Sequence, residues 1–125
     1  MTKIILIGCG GFFGAISRYL VSGLIYNLLG TGLPYGTLIV NLAGSFLLGG
    51  LARIAMSSQL LNDHVTALIG IGFLGAFTTF STFSVQTMEL LESGNLTKAM
   101  LNIVLNLTLC LAGAWLGLSL GRHCS

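Results

Sequence analysis

Three groups of side chains in this sequence could do chemistry, and all of them stand in apolar surroundings. Thr78, Thr79, Ser81, Thr82 and Ser84 put five hydroxyls within seven positions, interleaved with Phe80 and Phe83 and preceded by Phe77 one turn earlier. Hydroxyls donate hydrogen bonds, and an aromatic ring has a positive edge that can face an anion without the grip of a lysine. Asn41, Ser45 and Gly49 recur every four residues, with Thr37 one turn before them; Asn102 and Asn106 repeat the interval and lead into Cys110 and Gly113. That spacing places each set on one face of a helix. Arg18 is a cation about four turns into an apolar run. The whole constellation is rich in donors and free of carboxylates, which suits a small anion. A plainer role also fits each member. Asparagine in lipid can serve as glue between helices worth about 1 kcal/mol, hydroxyls can bond back to their own helix, phenylalanines can simply pack, and Arg18 can snorkel to an interface.

Other chemistries find no support. Cys9, Cys110 and Cys124 are odd in number and form no paired motif, so neither a disulfide framework nor a metal site follows. The run Gly8-Cys9-Gly10-Gly11-Phe12-Phe13-Gly14 places its last glycine one position late for a dinucleotide loop, and no strand precedes it. His64 and His123 lie at the ends of apolar runs, where solvation is their default role. No phosphate-binding loop or nucleophile–base set is visible, so no enzyme is expected. Five Lys plus Arg against three acids leave too little positive charge for nucleic acid.

The elements that must position these residues follow from composition. Of 125 residues, 54% are hydrophobic and 6% charged, against roughly 25% charged in an average soluble domain. Mean hydropathy is +0.97. A soluble surface cannot be clothed so sparsely, and the chain reads as one all-α integral membrane domain over residues 1–125. A membrane-spanning helix needs roughly 20 apolar residues. Four stretches qualify, at about 4–29, 37–56, 65–91 and 99–120. Gly30-Thr31-Gly32-Leu33-Pro34 ends the first, Ser57-Ser58-Gln59 the second, and Glu92-Ser93-Gly94-Asn95 the third. The first stretch lacks a convincing cleavage site and is expected to be mature structure. Glycine and clustered hydroxyls weaken the third helix, so a break is expected near 75–79. A break at membrane depth must be buried or line a cavity, and its freed carbonyls are natural ligands for a small cation.

Gly10 and Gly14, and Gly113, Gly117 and Gly121, recur every four residues, which lets helices approach closely in lipid. Arg18 continues the Gly10–Gly14 face. Lys3, Arg53 and Arg122 fall on one side of the membrane and Lys98 on the other, a weak bias that permits insertion either way. Four helices make a small bundle for a polar pathway, so a homo-oligomer is expected.

At this point the motifs resemble a known family. Residues 11–19 (GFFGAISRY), 36–46 (GTLIVNLAGSF) and 72–75 (GFLG), followed by 78–84 (TTFSTFS), are similar in order and kind to the Fluc (CrcB) fluoride channels. The resemblance implies an antiparallel, dual-topology homodimer in the inner (plasma) membrane. It implies two pores that pass F⁻ passively out of the cytoplasm and relieve its toxicity. It places Phe80 and Phe83 along the anion path with Asn41 lining it, and makes Arg18 necessary for function. Thr37, Ser81, Thr82, Asn102 and Asn106 would extend the polar track. It also implies a structural Na⁺ between subunits, held by backbone carbonyls of Gly75 and Thr78. Two positions depart from the family pattern: Ala76 stands where a second glycine is frequent, and Gln86 where a glutamate is frequent. No carboxylate is therefore available at that pore position. The competing reading, a small dual-topology exporter trading cationic drugs for protons, needs a membrane-embedded carboxylate. The first two stretches contain none, and Glu89 and Glu92 stand at the end of the third.

Overall fold

In the computed structural model, which describes residues 1–57, 59 and 61–124, the chain is helical almost throughout. Helices α1 (Thr2–Leu29) and α2 (Tyr35–Ser57) are joined by a short loop. Gly30 takes φ +84°, its N–H bonding the Tyr26 carbonyl, and Pro34 stands immediately before α2. The third span begins with α3 (Asp63–Val65), capped by Asn62, whose side-chain oxygen accepts the Val65 N–H at 2.9 Å. A π-helical segment (Thr66–Leu74), α4 (Gly75–Phe77) and α5 (Phe80–Glu92) complete it. Gly94, at φ +85°, turns the chain into α6 (Leu96–His123). Ser58, part of the polar stretch expected to close the second span, lies outside the described residues.

Four helical stretches, Thr2–Leu29, Tyr35–Ser57, Asp63–Glu92 and Leu96–His123, are long and apolar enough to cross a membrane. Their apolar side chains point outward. Leu28, Leu111 and Trp115 are among many large hydrophobic residues left exposed, whereas Thr37, Thr79, Thr87, Asn102 and Asn106 are buried. That inversion is what a bilayer demands, since lipid rewards an apolar exterior and every interior polar group must find a partner. The break expected over five residues is confined to two. Gly75 to Phe77 remain helical, and only Thr78 (φ −88°, ψ 157°) and Thr79 (φ −152°, ψ 116°) are extended.

The π-helical turn before the break is a feature that the hydrophobic pattern does not signal. Its wider ring returns to α-helix at Gly75, whose N–H is shared between the carbonyls of Gly70 and Gly72, five and three residues back. The segment packs on α1 backbone to backbone: a Cβ added at Gly10 would overlap the Leu68 carbonyl, and one at Gly14 the Phe73 carbonyl. The α2–α6 contact is built the same way. A Cβ at Gly117 would overlap the Phe46 carbonyl, and one at Gly49 would come within 2.5 Å of the Ala114 carbonyl oxygen. Small residues thus let dispersion forces act between backbones where lipid supplies no hydrophobic drive. Arg18, one turn beyond Gly14, leaves this contact, because α5 diverges from α1 after the break and opens a groove there.

The close approach of α2 and α6 gives a direct test. Gly117→Leu should push the helices apart and destabilise the fold by about 1–3 kcal/mol, the usual range for overpacking. The measurement is denaturant unfolding of the purified protein in detergent micelles, with Gly8→Leu, at a site open on all sides, as the neutral control.

Candidate functional site

The break is held by one side chain. In an unbroken helix the Thr79 N–H would bond to the Gly75 carbonyl; here it donates to Asn41 Oδ1 at 2.7 Å, and Asn41 Nδ2 donates back to the Thr79 carbonyl at 3.0 Å. A single carboxamide on α2 therefore satisfies both backbone groups of an extended residue at membrane depth. Thr79 then caps α5: its hydroxyl oxygen accepts the Thr82 N–H at 3.2 Å, the bond that in a continuous helix would go to the Thr78 carbonyl. The same hydroxyl donates to Thr82 Oγ1 at 2.9 Å and lies 3.4 Å from Ser81 Oγ. These substitutions leave the carbonyls of Gly75 and Thr78 without their usual helical donors. Thr78 fits against α2 only because Gly44 has no side chain, since a Cβ there would overlap the Thr78 methyl.

From Asn41 a ladder of side chains runs across to α6 and back to α5. Asn41 Nδ2 donates to Asn106 Oδ1 at 3.4 Å, and Asn106 Nδ2 donates to the Asn102 carbonyl at 2.9 Å and to Asn102 Oδ1 at 3.0 Å. Asn102 Nδ2 donates to Thr87 Oγ1 at 2.9 Å, and the Thr87 hydroxyl to the Phe83 carbonyl at 2.8 Å. The i, i+4 asparagines thus act as one buried chain of donors, each rung oriented by the next. Asn41 Nδ2 and Asn106 Nδ2 thus each have two acceptors within the protein.

Phe80 and Phe83 pair with ring centroids 5.5 Å apart and planes tilted by 47°. Phe83 is buried, whereas Phe80 is 75% exposed and faces away from the chain that carries it. Phe77 does not join them. The break turns it aside, and it stacks on Phe73 with centroids 6.0 Å apart. A cavity of about 310 Å³ lies between α2, α5 and α6, lined in part by Asn41, Ser45, Thr79, Phe80, Phe83 and Asn106. A second, of about 640 Å³, lies on the α1 side and is lined in part by Arg18, Ser22, Thr37, Thr79, Thr82 and Gln86. Thr79 is common to both. Asn41, Asn106, Phe80 and Phe83 therefore share one cavity, Arg18, Thr37 and Thr82 share the other, and the extended residue separates them. Asn102 stands behind the first cavity as a rung of the ladder. Ser81 is exposed on α5 with its hydroxyl near Thr79.

Arg18 makes no hydrogen bond or ion pair among the described residues. Glu89 and Glu92 are exposed at the end of α5, and Asp63 pairs at the surface with Lys3 at 3.1 Å. No acid therefore lines either of the two cavities beside the break. Among the described residues no cluster of three His, Cys, Asp or Glu side chains could hold a metal. The freed backbone carbonyls at the break offer only hard, uncharged oxygens. Thr87, and Tyr26 on the wall of the α1-side cavity, are site residues that sequence reasoning did not single out. Thr87 lies one turn after Phe83 and carries a hydroxyl on an apolar face, a faint signal; Tyr26 gave none.

A family model described as "CrcB-like protein, Camphor Resistance (CrcB)" matches residues 5–118. The chain belongs to this family. Similar CrcB-family relatives are proteins named "Fluoride-specific ion channel FluC". One from Shewanella amazonensis is 52% identical over 117 residues, covering 94% of each chain. Another from Geobacter sulfurreducens is 43% identical over 123 residues, covering 98% of this chain and 99% of its own. A third from Vibrio vulnificus is 52% identical over 114 residues, covering 91% and 90%. All three are named as ion channels and none as an enzyme. With four helices long and apolar enough to span, the chain is a multi-pass membrane protein of the CrcB family.

The Asn41–Thr79 clamp should be indispensable to this arrangement. Asn41→Ala leaves an N–H and a carbonyl unpaired inside the membrane, a loss of about 1–3 kcal/mol for each buried unsatisfied group. The expected result is a clearly lower unfolding midpoint in detergent and faster amide hydrogen exchange at Thr79 and Phe80, with α1 unaffected.

Proposed function

We propose that this chain is a fluoride channel that passes F⁻ passively across the inner (plasma) membrane. The observation that carries this reading is the donor-rich, acid-free break between two cavities, in a chain about half identical to proteins named for fluoride conduction. Fluoride is small and strongly hydrated, so a pore must replace its water with several donors while staying narrow. The hydroxyls of Thr37, Ser81 and Thr82 and the ring edges of Phe80 and Phe83 supply such groups without a fixed positive charge that would trap the ion. Arg18, on the wall of the α1-side cavity, raises the local anion concentration. Asn41, Asn102 and Asn106 hold the track in shape through their mutual bonds.

The direction of flow needs no coupled energy source. Hydrogen fluoride crosses lipid as a neutral acid and ionises in a less acidic cytoplasm, and the membrane potential then drives the trapped anion out. Export of this kind relieves fluoride toxicity.

The active form in this proposal is an antiparallel, dual-topology homodimer. Phe80, though placed beside the cavity, exposes three-quarters of its surface, and a second copy would cover it. A twofold axis would then repeat the complete set of residues, giving two equivalent pores. The charges at the two ends are sparse, three basic residues against one, and so weak a bias permits either orientation. The carbonyls of Gly75 and Thr78, deprived of helical donors, fit a structural Na⁺ at the centre of that dimer. Hard oxygen ligands without net charge suit a monovalent cation, and no residue of the break would have to move to a charged state to hold it.

Efflux from reconstituted liposomes, followed with fluoride- and chloride-selective electrodes, tests the function directly. Rapid fluoride release with chloride retained is expected, and release of neither ion from a folded protein would overturn the reading. Phe80→Ile and Phe83→Ile should each abolish fluoride flux while the assembled form persists by size-exclusion chromatography; normal flux in both removes the aromatic pair from the path. Exhaustive exchange of Na⁺ for a large organic cation should lower both flux and thermal stability. If neither changes, the cation has no structural role.

A further inference from the structure

On the α1 side of the break, three side chains from three different helices meet in a contact that the polar track described so far does not include. Gln86 Nε2 donates to the Tyr26 hydroxyl oxygen at 3.1 Å, and that hydroxyl lies 3.4 Å from Thr37 Oγ1. The Tyr26 ring is seated against Gly36, where an added Cβ would come within 2.6 Å of ring atom Cε2, so the position of the hydroxyl is fixed by backbone. Tyr26 and Gln86 both line two cavities. One is the 640 Å³ groove that holds Arg18, and the other, of about 490 Å³, opens at the α1–α2 loop beside Glu89 and Ser93. Their hydrogen bond therefore stands at the junction between the outer mouth and the inner groove.

The Gln86 carboxamide is also incompletely satisfied. Its Oε1 is buried and has no hydrogen-bond partner among the described residues. A buried polar atom without a partner is costly, and it needs one from outside the chain. A carboxamide presents the same shape either way round, and its orientation follows from the partners on offer. If the Tyr26 hydroxyl donates to the amide oxygen, the NH₂ takes the buried, unpartnered place and faces the junction as a pair of donors. The Thr37 hydroxyl then donates to the Tyr26 oxygen, which keeps the relay intact. That orientation gives an anion what the protein withholds from the amide.

We propose that the Tyr26 hydroxyl is a positioning group, which holds the Gln86 carboxamide across the junction of the two cavities with its NH₂ as a donor to the passing anion. The inference rests on the fluoride-channel reading and deepens it at one place. Gln86 meets the anion, and Tyr26 acts only through Gln86. An uncharged amide in this position favours passage over retention, because it offers donors without adding a charge of either sign.

The test is a double-mutant cycle read by fluoride efflux from liposomes, with assembly checked by size exclusion. Tyr26→Phe removes one oxygen and leaves the ring in its seat. It should lower fluoride flux by about fivefold, the scale of one net hydrogen bond. Gln86→Leu deletes the amide, and Gln86→Asn keeps it but draws it one methylene away from Tyr26. In either background Tyr26→Phe should have no further effect. Unchanged flux in Tyr26→Phe alone overturns the proposal, as does a full additional loss in the Gln86 variants, which would make Tyr26 independent of Gln86. Full flux in Gln86→Leu also overturns it, because the amide that meets the anion would then be dispensable. A wild-type protein that releases no fluoride is a different failure, that of the channel reading itself.

Discussion

The two hydrogen bonds between the Asn41 carboxamide and the backbone of Thr79 hold together everything else at the centre of this protein. A helix interrupted inside a bilayer exposes donors and acceptors that lipid cannot satisfy, and each would make the break unstable. One asparagine removes that instability at its worst point, the residue whose N–H and carbonyl both lie off the helical pattern. The consequences spread in both directions. Toward the N-terminal side, carbonyls are released from helical bonding at Gly75 and Thr78. Toward the C-terminal side, Thr79 becomes the cap of α5 and sets the direction of Phe80 and Phe83. The remaining asparagines extend the same amide chemistry to α6 and back to Thr87 on α5, so that three spans are tied together.

The glycines serve this centre indirectly. Backbone-to-backbone packing at Gly10 and Gly14 on one side, and at Gly49 and Gly117 on the other, brings α1 against the π-helical segment and α2 against α6. With those pairs fixed, α5 is the element left to diverge, and the two cavities open where it leaves its neighbours. Polar space is thus created without a wide bundle. Four helices suffice because two pairs are packed as tightly as peptide backbones allow.

Much of this was legible in the residues, for identifiable reasons. The four spans follow from the length of the apolar runs and the turn-forming residues between them. The break follows from hydroxyls crowded after glycine between residues 75 and 84, although the structure limits it to Thr78 and Thr79. Asn102 and Asn106 were marked by their spacing, and they do share a face. What could not be read is which groups pair across helices. Nothing in the pattern shows that Asn41 would meet a backbone rather than another side chain, that Thr87 would end the ladder, or that Tyr26 would reach Gln86 sixty residues away. The π-helical turn is hidden for another reason: its ring size alters the backbone while leaving an apolar run looking like any other. Phe77 shows the same limit on a smaller scale. Helical spacing grouped it with Phe80 and Phe83, and the two extended residues between them sent it to Phe73 instead.

The clamp and ladder are built wholly from Asn, Thr and backbone, and the paired rings beside them are phenylalanines. None of these groups gains or loses a proton in water at any pH a cell meets. Under the proposed export, acidity outside the cell would govern how much fluoride enters as the neutral acid, and demand on the protein would rise and fall with proton concentration. The framework that would answer that demand carries no protonation state of its own. In that reading supply is acid-controlled while the clamp and ladder are indifferent to acid, an asymmetry that would let one structure serve across the whole range of conditions in which it is needed.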